Sequence, residues 1–464
     1  MRRSPPNPAS DDTLVLLLAG TVLALCFVCG GSSAQTGLGV VLAQLLALPL
    51  LGLALWRAWQ RQRLGEVRWE LIVVAAIVCL PLLQLLPLPE SLWSLSSARA
   101  ALSADLAVFG VHDLDLRWSL TPVATERNVY LLLPAVALFV VPLAVRRQAW
   151  KALLWWPIGM AMFSLLLAFV QLGLPQDSFV NPFPEYAPSL SGVFANKNHQ
   201  ASALAIGLVL VLSKLMDVYS RRSHAQSTAS LVLYAAMLAL LILVLPLVKS
   251  RAGLIIALVV CGLVLLCTGP LSPRSWRNSG HVARVLAVSA FSGLLVGLWG
   301  AFAWMQSEAA LDGSRWTMFI MTLRLGVDNA PFGSGFGSYV LMFEQATQGA
   351  LMRSGYINNA HNDYVQWWFE GGVLAILVLA AALYALIAAL IRVLSLPGDS
   401  RSRSCGVAAA FGLLVLLLHS TVDYPLRTPA LMAIAGLLAG ILVSVAAQGR
   451  KRSEVVDGHR VSDG

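Results

Sequence analysis

The chain has 464 residues, 58% of them hydrophobic and 12% charged. That balance excludes an ordinary water-soluble globule and points to a polytopic membrane protein, since crossing the hydrocarbon takes ~20 mostly apolar residues per helix. The net charge of +9 is spread over the loops between apolar runs, so it encodes membrane orientation and gives no nucleic-acid partner.

Twelve apolar segments follow one another, at about 13–30, 38–56, 70–89, 128–145, 150–173, 201–217, 230–248, 253–269, 284–304, 372–391, 406–422 and 428–447. They are continuous runs, unlike the ~10-residue alternating segments of a transmembrane β-barrel. The expected fold class is all-α: about 12 transmembrane helices in a single integral membrane domain over residues 1–464. Arg2 and Arg3 precede the first run and Ser32-Ser33-Ala34 follows it, so both retention and signal-peptide cleavage are open; neither alters the remaining spans. Cys26, Cys29, Cys79, Cys261, Cys267 and Cys405 lie in or beside spans without a ligand-spaced partner set, and read as small buried apolar residues.

With the N-terminus cytoplasmic, 22 of the 32 Lys and Arg fall on the inner side, in every inner loop and both tails, and 10 fall outside. This positive-inside pattern sets both termini in the cytoplasm, and the same excess attracts anionic membrane lipid. The inner loops are short. The outer face carries long segments at 90–127 and 305–371 and a shorter one, rich in Pro and Asn, at 174–200. Function is therefore sought on the outer face.

His112-Asp113-Leu114-Asp115, in the first outer segment, has the Asp-x-Asp spacing that can hold a divalent ion. No strand pattern flanks it, so we read it as a solvated loop and expect no metal and no cofactor. Lys197, between Asn196 and Asn198 and followed by His199, forms a polar knot before the sixth span, open to both a structural and a functional reading. Lys249-Ser250-Arg251-Ala252-Gly253 is a very short outer turn between apolar helices. Charges held there are functional candidates. Snorkelling to headgroups is the structural alternative, and suits Lys249 better than Arg251.

In loop 305–371, Trp316, Phe319, Ile320, Leu323 and Val327 share one helical face, with Arg315 and Arg324 at its two edges. This predicts an amphipathic helix in the outer interface, with Arg315 as a ligand contact and Arg324 as an anchor. Asn329-Ala330-Pro331-Phe332-Gly333-Ser334-Gly335-Phe336-Gly337 then forms a close-packed turn, its glycines lacking the spacing of a nucleotide loop.

The stretch Asn358-Asn359-Ala360-His361-Asn362-Asp363-Tyr364 is a polar, ionisable cluster at the edge of a span. A helix restarting near His361, capped by Asn359, puts His361 and Asp363 on different faces. Asp363 then serves the helix N-terminus and does not orient His361. Taken alone, His361 reads as an interfacial histidine bonded to a carbonyl. With Arg251 and Arg315 on the same side it becomes a candidate base, since a histidine titrates near neutrality and clustered arginines bind diphosphate through forked bonds. That combination suits glycosyl transfer from a lipid diphosphate. His419–Arg427 is the last polar cluster, in which Asp423 and Arg427 are expected to pair locally; these two join Lys197, Lys249 and Arg324 as second-tier candidates.

In chain order, Gly192-Val193-Phe194-Ala195-Asn196-Lys197-Asn198, Ser250-Arg251-Ala252-Gly253, Ser314-Arg315-Trp316, Pro331-Phe332-Gly333-Ser334-Gly335 and Ala360-His361-Asn362-Asp363 resemble the O-antigen ligase and O-antigen polymerase superfamily of bacterial envelopes. The resemblance covers about residues 185–375 and its twelve-span plan extends over the chain. It implies a GT-C-like, metal-independent membrane glycosyltransferase in the bacterial inner membrane, with its active face periplasmic. The implied donor is an undecaprenyl-diphosphate-linked glycan. The acceptor is lipid A–core for a ligase, the preferred reading, or another lipid-linked repeat unit for a polymerase. By motif match, His361 carries the general-base role, and Arg251 and Arg315 the donor diphosphate. A non-enzymatic flippase or transporter is the rival from another class, but it should carry charges at mid-membrane on broken helices; here they gather at the outer edge.

Overall fold

The computed structural model describes residues 10–33, 37–111, 116–184, 190–221, 228–268, 313–347, 357–397 and 400–462. Among the described residues the protein is all-α, with only an isolated bridge between Pro87 and Arg117. The main helices are α1 (Ser10–Cys29), α2 (Leu38–Gln60), α3 (Arg68–Leu83), α4 (Ser97–Val108), α5 (Pro122–Ala144), α6 (Trp155–Leu172) and α7 (Lys197–Arg221). They continue as α8 (Thr228–Val244), α9 (Arg251–Thr268), α10 (Gly313–Asp328), α11 (Tyr339–Thr347), α12 (Asp363–Ser395), α13 (Arg401–His419) and α14 (Pro429–Ser462).

Ten described segments are long and apolar enough to cross a membrane. The expected ninth span, 284–304, lies outside the described residues, as does the Asp113-Leu114-Asp115 motif. The expected third span, 70–89, is shorter than its apolar run: α3 ends at Leu83. Gln84 there turns its side chain to other elements, donating to the Glu370 carbonyl at 3.0 Å and accepting from Phe336 N at 2.9 Å. Leu88 N pairs with the Leu116 carbonyl at 2.7 Å. Residues 84–89 thus leave the helix to pair with the outer segment that follows.

Composition decides which helices are central. From Ala203 to Leu212 α7 is small and aliphatic on all faces, and the most apolar 18 residues of α7 and of α14 are each 78% buried; those of α8 and α12 are only 22% and 11% buried and turn leucines and isoleucines outward. Gly253 brings α9 against α7 so closely that an added Cβ would lie 2.5 Å from that of Ala201. Gly253, two residues after Arg251, therefore holds the start of that arginine's helix against α7.

The two ends of the bundle differ. One gathers the basic loops: Arg61 bonds Asp12 at 2.6 Å, Lys151 bonds Asp217 at 3.2 Å, Arg392 bonds Glu70 at 3.2 Å, and Arg63 donates to the Val145 carbonyl at 2.7 Å. The other carries Ser250, the His361 turn and the 420–428 segment. Above this end lies α10. Its expected apolar stripe, with Trp316 66% and Val327 62% exposed, faces away from the protein, while Met318 and Thr322 are buried on its inner face. That is the arrangement of a helix lying in a membrane interface.

α12 is broken at Gly372, whose φ is 65°. The glycine turn 331–337 plugs into the break. Val373 N donates to the Pro331 carbonyl at 2.9 Å, Ser334 N to Phe369 at 3.0 Å and Gly335 N to Glu370 at 2.8 Å. Only glycine fits, since a Cβ at Gly372 would meet the Pro331 oxygen at 2.2 Å. Arg99 of α4 clamps the turn from the other side, donating to the Gly333 carbonyl at 2.7 Å and also to that of Trp118. Its burial pushes the guanidinium pKa down to about 10. An arginine that reads as a loop cation is therefore a structural strut between the two long outer segments.

Candidate functional site

The site begins with the turn before α12. Its N-cap is Asn362, whose side-chain oxygen accepts from Tyr364 N and Val365 N at 3.0 Å each. This corrects the expectation that Asn359 caps the helix. The amide of Asn359 is engaged elsewhere: it donates to Ser33 Oγ at 3.0 Å and accepts from Gln366 Nε2 at 3.1 Å. His361 therefore lies outside the helix, at a left-handed φ of 51° that a side-chain-bearing residue rarely adopts. Its neighbours impose that conformation. Ala360 N donates to Gln366 Oε1 at 2.9 Å, Asn362 Nδ2 to the Thr421 carbonyl at 2.8 Å, and Asp363 N to the Ser420 carbonyl at 2.9 Å. Strain held by surrounding contacts is a mark of a functional turn.

The turn aims the His361 Nδ1 at Asp423 Oδ1, 3.2 Å away. Asp423 is fully buried. Its carboxylate also accepts from Asn198 Nδ2, from Asn196 Nδ2 at 3.4 Å and from Tyr424 N at 2.9 Å. Burial opposes its ionisation, but the His361 hydrogen bond and the fields of His199, His361 and His419 outweigh that and hold the carboxyl well below the usual range. An ionised carboxylate only accepts, so in the neutral ring the hydrogen sits on Nδ1 and the lone pair on Nε2. The imidazole is 22% exposed, which leaves that lone pair reachable.

From Asp423 the network spreads into three helices. Asn198 Oδ1 accepts from Ser250 Oγ at 2.8 Å, and the next residue, half-buried Arg251, starts α9. Ser202 of α7 donates to the Asn198 carbonyl at 3.2 Å and lies 2.6 Å from His419 Nδ1. The rings of His361 and His199 both meet Tyr424 edge-on, at 5.0 and 4.9 Å. Arg315, near the start of α10, donates to the carbonyl of Val422, the residue before Asp423, at 3.4 Å. His361 thus contacts the buried carboxylate itself, Arg315 reaches the backbone of the residue before it, and Arg251 follows Ser250, whose hydroxyl bonds Asn198 of the same network.

The second-tier residues divide. Lys197 starts α7 and is exposed beside Asn196 and Asn198. Lys249 is exposed at a left-handed φ of 58°. Arg324 sits on the outward face of α10, away from the network. The expected local pair of Asp423 with Arg427 does not form. Arg427 bonds Glu370 at 2.5 Å and Asp363 at 3.4 Å, both carboxylates of α12, and these raise its pKa against the opposing effect of burial. Asp363 does lie in the first helical turn, but its carboxylate accepts from Ser420 Oγ at 2.7 Å and Leu426 N at 3.2 Å, so it locks α12 onto the 420–427 segment. His361 and Asp363 are indeed apart, but because His361 lies outside α12 and not through two faces of one helix; the sequence reading left Asp423 as secondary and missed Asn198, Ser202 and His419 as members of one network. Their signal was present: polar residues in near-apolar helices are expensive unless they share partners.

Residues 235–380 match the family model described as O-antigen ligase. The matched segment contains Arg251, Arg315 and His361 and ends before Asp423. Over this segment the chain is similar to the O-antigen ligase family, in line with the resemblance of its motifs. No curated protein matches the chain.

Proposed function

We propose that this chain, with its O-antigen-ligase segment, is a metal-independent glycosyltransferase of the bacterial inner membrane. It moves a glycan from undecaprenyl diphosphate to an acceptor hydroxyl at the periplasmic face, with lipid A–core as the acceptor. The observation that carries this reading is the His361 Nδ1 contact with buried Asp423, with Arg251 and Arg315 on elements tied to the same carboxylate. The family match over residues 235–380 supports an activity of the O-antigen ligase type.

In this mechanism Asp423 fixes the tautomer, and His361 Nε2 takes the proton of the attacking hydroxyl. The hydroxyl oxygen bonds to the anomeric carbon as the bond from that carbon to the diphosphate oxygen breaks, and the electron pair leaves with the diphosphate. A single displacement of this kind inverts the anomeric centre. Arg251 and Arg315 offset the charge that develops on the leaving group. Asp423 stabilises the imidazolium formed, as a buried carboxylate does behind any histidine base.

The test is deletion of the gene followed by complementation and gel analysis of surface glycans. Loss of attachment with lipid-linked polymer accumulating is expected for a ligase; a single repeat still attached would mean polymerase. The His361→Ala protein should insert normally and restore nothing, and normal attachment by it would remove the base assignment. Arg251→Ala and Arg315→Ala should weaken donor binding. Activity lost to a chelator and restored by a divalent ion would return Asp113 and Asp115 to the mechanism.

A further inference from the structure

A second cavity, of about 450 Å³, opens between the two long outer segments and lies apart from the His361 network. α4 supplies Ser97, the C-terminal end of α10 supplies Leu325, Asp328 and Asn329, and α11 supplies Met342 and Gln345. Its size is that of a small-ligand site, in the range of roughly 300–1,000 Å³. The elements around it are held together: Ser97 Oγ donates to the Asp328 carbonyl at 3.3 Å, and Phe369 of α12 closes the floor.

Two observations identify the chemistry of the ligand. Asn329 is only 2% exposed, and its Nδ2 is spent on the Leu325 carbonyl at 2.8 Å, while its side-chain oxygen has no partner among the described residues. A buried acceptor without a donor is costly, and a small shift toward a ligand hydroxyl would satisfy it. The other wall groups are a hydroxyl, a carboxylate and a carboxamide, set beside the apolar Leu325 and Met342. No Lys or Arg lines the cavity among the described residues. Such a wall repels a diphosphate. It suits a neutral polyol whose hydroxyls donate to Asp328, Asn329 and Gln345 while its C–H face packs on the apolar side chains.

Its location fits the same ligand. Arg315 and Asp328 lie near opposite ends of α10, and at 1.5 Å per residue they are about 20 Å apart. We propose that this cavity is a distal saccharide subsite, which holds sugars of the glycan several residues away from the bond being made. The proposal rests on the glycan-transfer reading for its purpose but not for its test. Remote binding of this kind positions a long substrate without touching its reacting end.

The probe is the lipid-free oligosaccharide, two to four repeats long, released by mild acid from the host's own lipid-linked glycan. Saturation-transfer NMR on the full chain in nanodiscs should show binding to the wild type and equally to His361→Ala. Asp328→Ala combined with Gln345→Ala, both exposed positions, should weaken it at least tenfold. Ala346→Trp, which fills the exposed rim, should do the same. No binding by the wild type, or equal binding by these variants, overturns the subsite. In a transfer assay the variants should keep single-repeat donors within twofold of wild type and lose fivefold or more on long donors; equal losses on both overturn the distal placement. A wild type that binds the oligosaccharide but transfers nothing refutes the enzyme reading and leaves the subsite standing.

Discussion

The proposed chemistry turns on two residues. His361 is held at a left-handed φ of 51°, and Asp423 is buried directly behind it. Asp423→Asn keeps the shape but ends the obligation of Nδ1 to donate, so a misoriented tautomer becomes available. Transfer should fall by roughly 10²–10⁴-fold, the range for losing a positioned acid–base group, with little change in donor binding. A loss below threefold would remove Asp423 from the mechanism. The same residue predicts a pH response. Its folded-state carboxyl lies below the usual range, so on acidification the unfolded chain takes up the proton first. Its stabilising contribution is complete above about pH 4 and declines as pH falls toward the folded value. Thermal unfolding in detergent should therefore depend less on pH below about 4 in Asp423→Asn than in the wild type. Arg427 poses the opposite case. Removing it leaves Glu370 and Asp363 buried without a counter-charge, which costs about 3–5 kcal/mol. Arg427→Met should lower the unfolding temperature sharply, and Glu370→Met added to it should recover much of the loss. Absence of recovery would show that the unpaired Glu370 carboxylate is not the source of the loss.

At the level of elements, the outer loop is anchored by backbone geometry more than by side chains. The 331–337 turn satisfies carbonyls that the break in α12 exposes, and Gly372 and Gly333 permit the approach. Gly372→Ala combines a positive φ with a 2.2 Å clash against Pro331, so the turn must withdraw. Local stability should fall by about 1–3 kcal/mol or more, read as faster proteolysis within 331–337 while the spans stay protected. Unchanged cleavage would mean the turn is held by its contacts with Arg99 and the 118–125 segment and not by the break in α12. Much of this architecture was legible in the sequence. Apolar runs, the amphipathic stripe of α10 and the glycine turn are local patterns, and each was read correctly in kind. What was not legible depends on distance. Asn358, Asn359 and Asn362 are all competent caps; the choice fell to Asn362 because Gln366 Nε2 takes the side-chain oxygen of Asn359, whose nitrogen is held by Ser33, 326 residues away. His361 and Asp423 are 62 residues apart, so no wheel or spacing could pair them. The α3 run stopped early because Gln84 finds partners in Phe336 and Glu370, again far along the chain.

The whole molecule is polarised, and the polarity makes the last prediction. Basic loops with their acidic partners occupy one end of the bundle, and the His361 network, α10 and the glycine turn occupy the other. Lys and Arg are retained at the cytoplasmic ends of spans, because translocating them is unfavourable. The His361 end should then face the periplasm, the side that the proposed transfer requires, and the exposed stripe of α10 should rest in the outer leaflet interface. Lys249→Cys and Arg401→Cys, each in a chain stripped of its six native cysteines, report on the two ends. Both positions are exposed, so labelling reads sidedness and not burial. A membrane-impermeant maleimide applied to intact cells should label Lys249→Cys and spare Arg401→Cys until the inner membrane is lysed. The reverse pattern would invert the protein. His361 would then face the cytoplasm, and although the His–Asp geometry would be untouched, a periplasmic transferase could not be built on it.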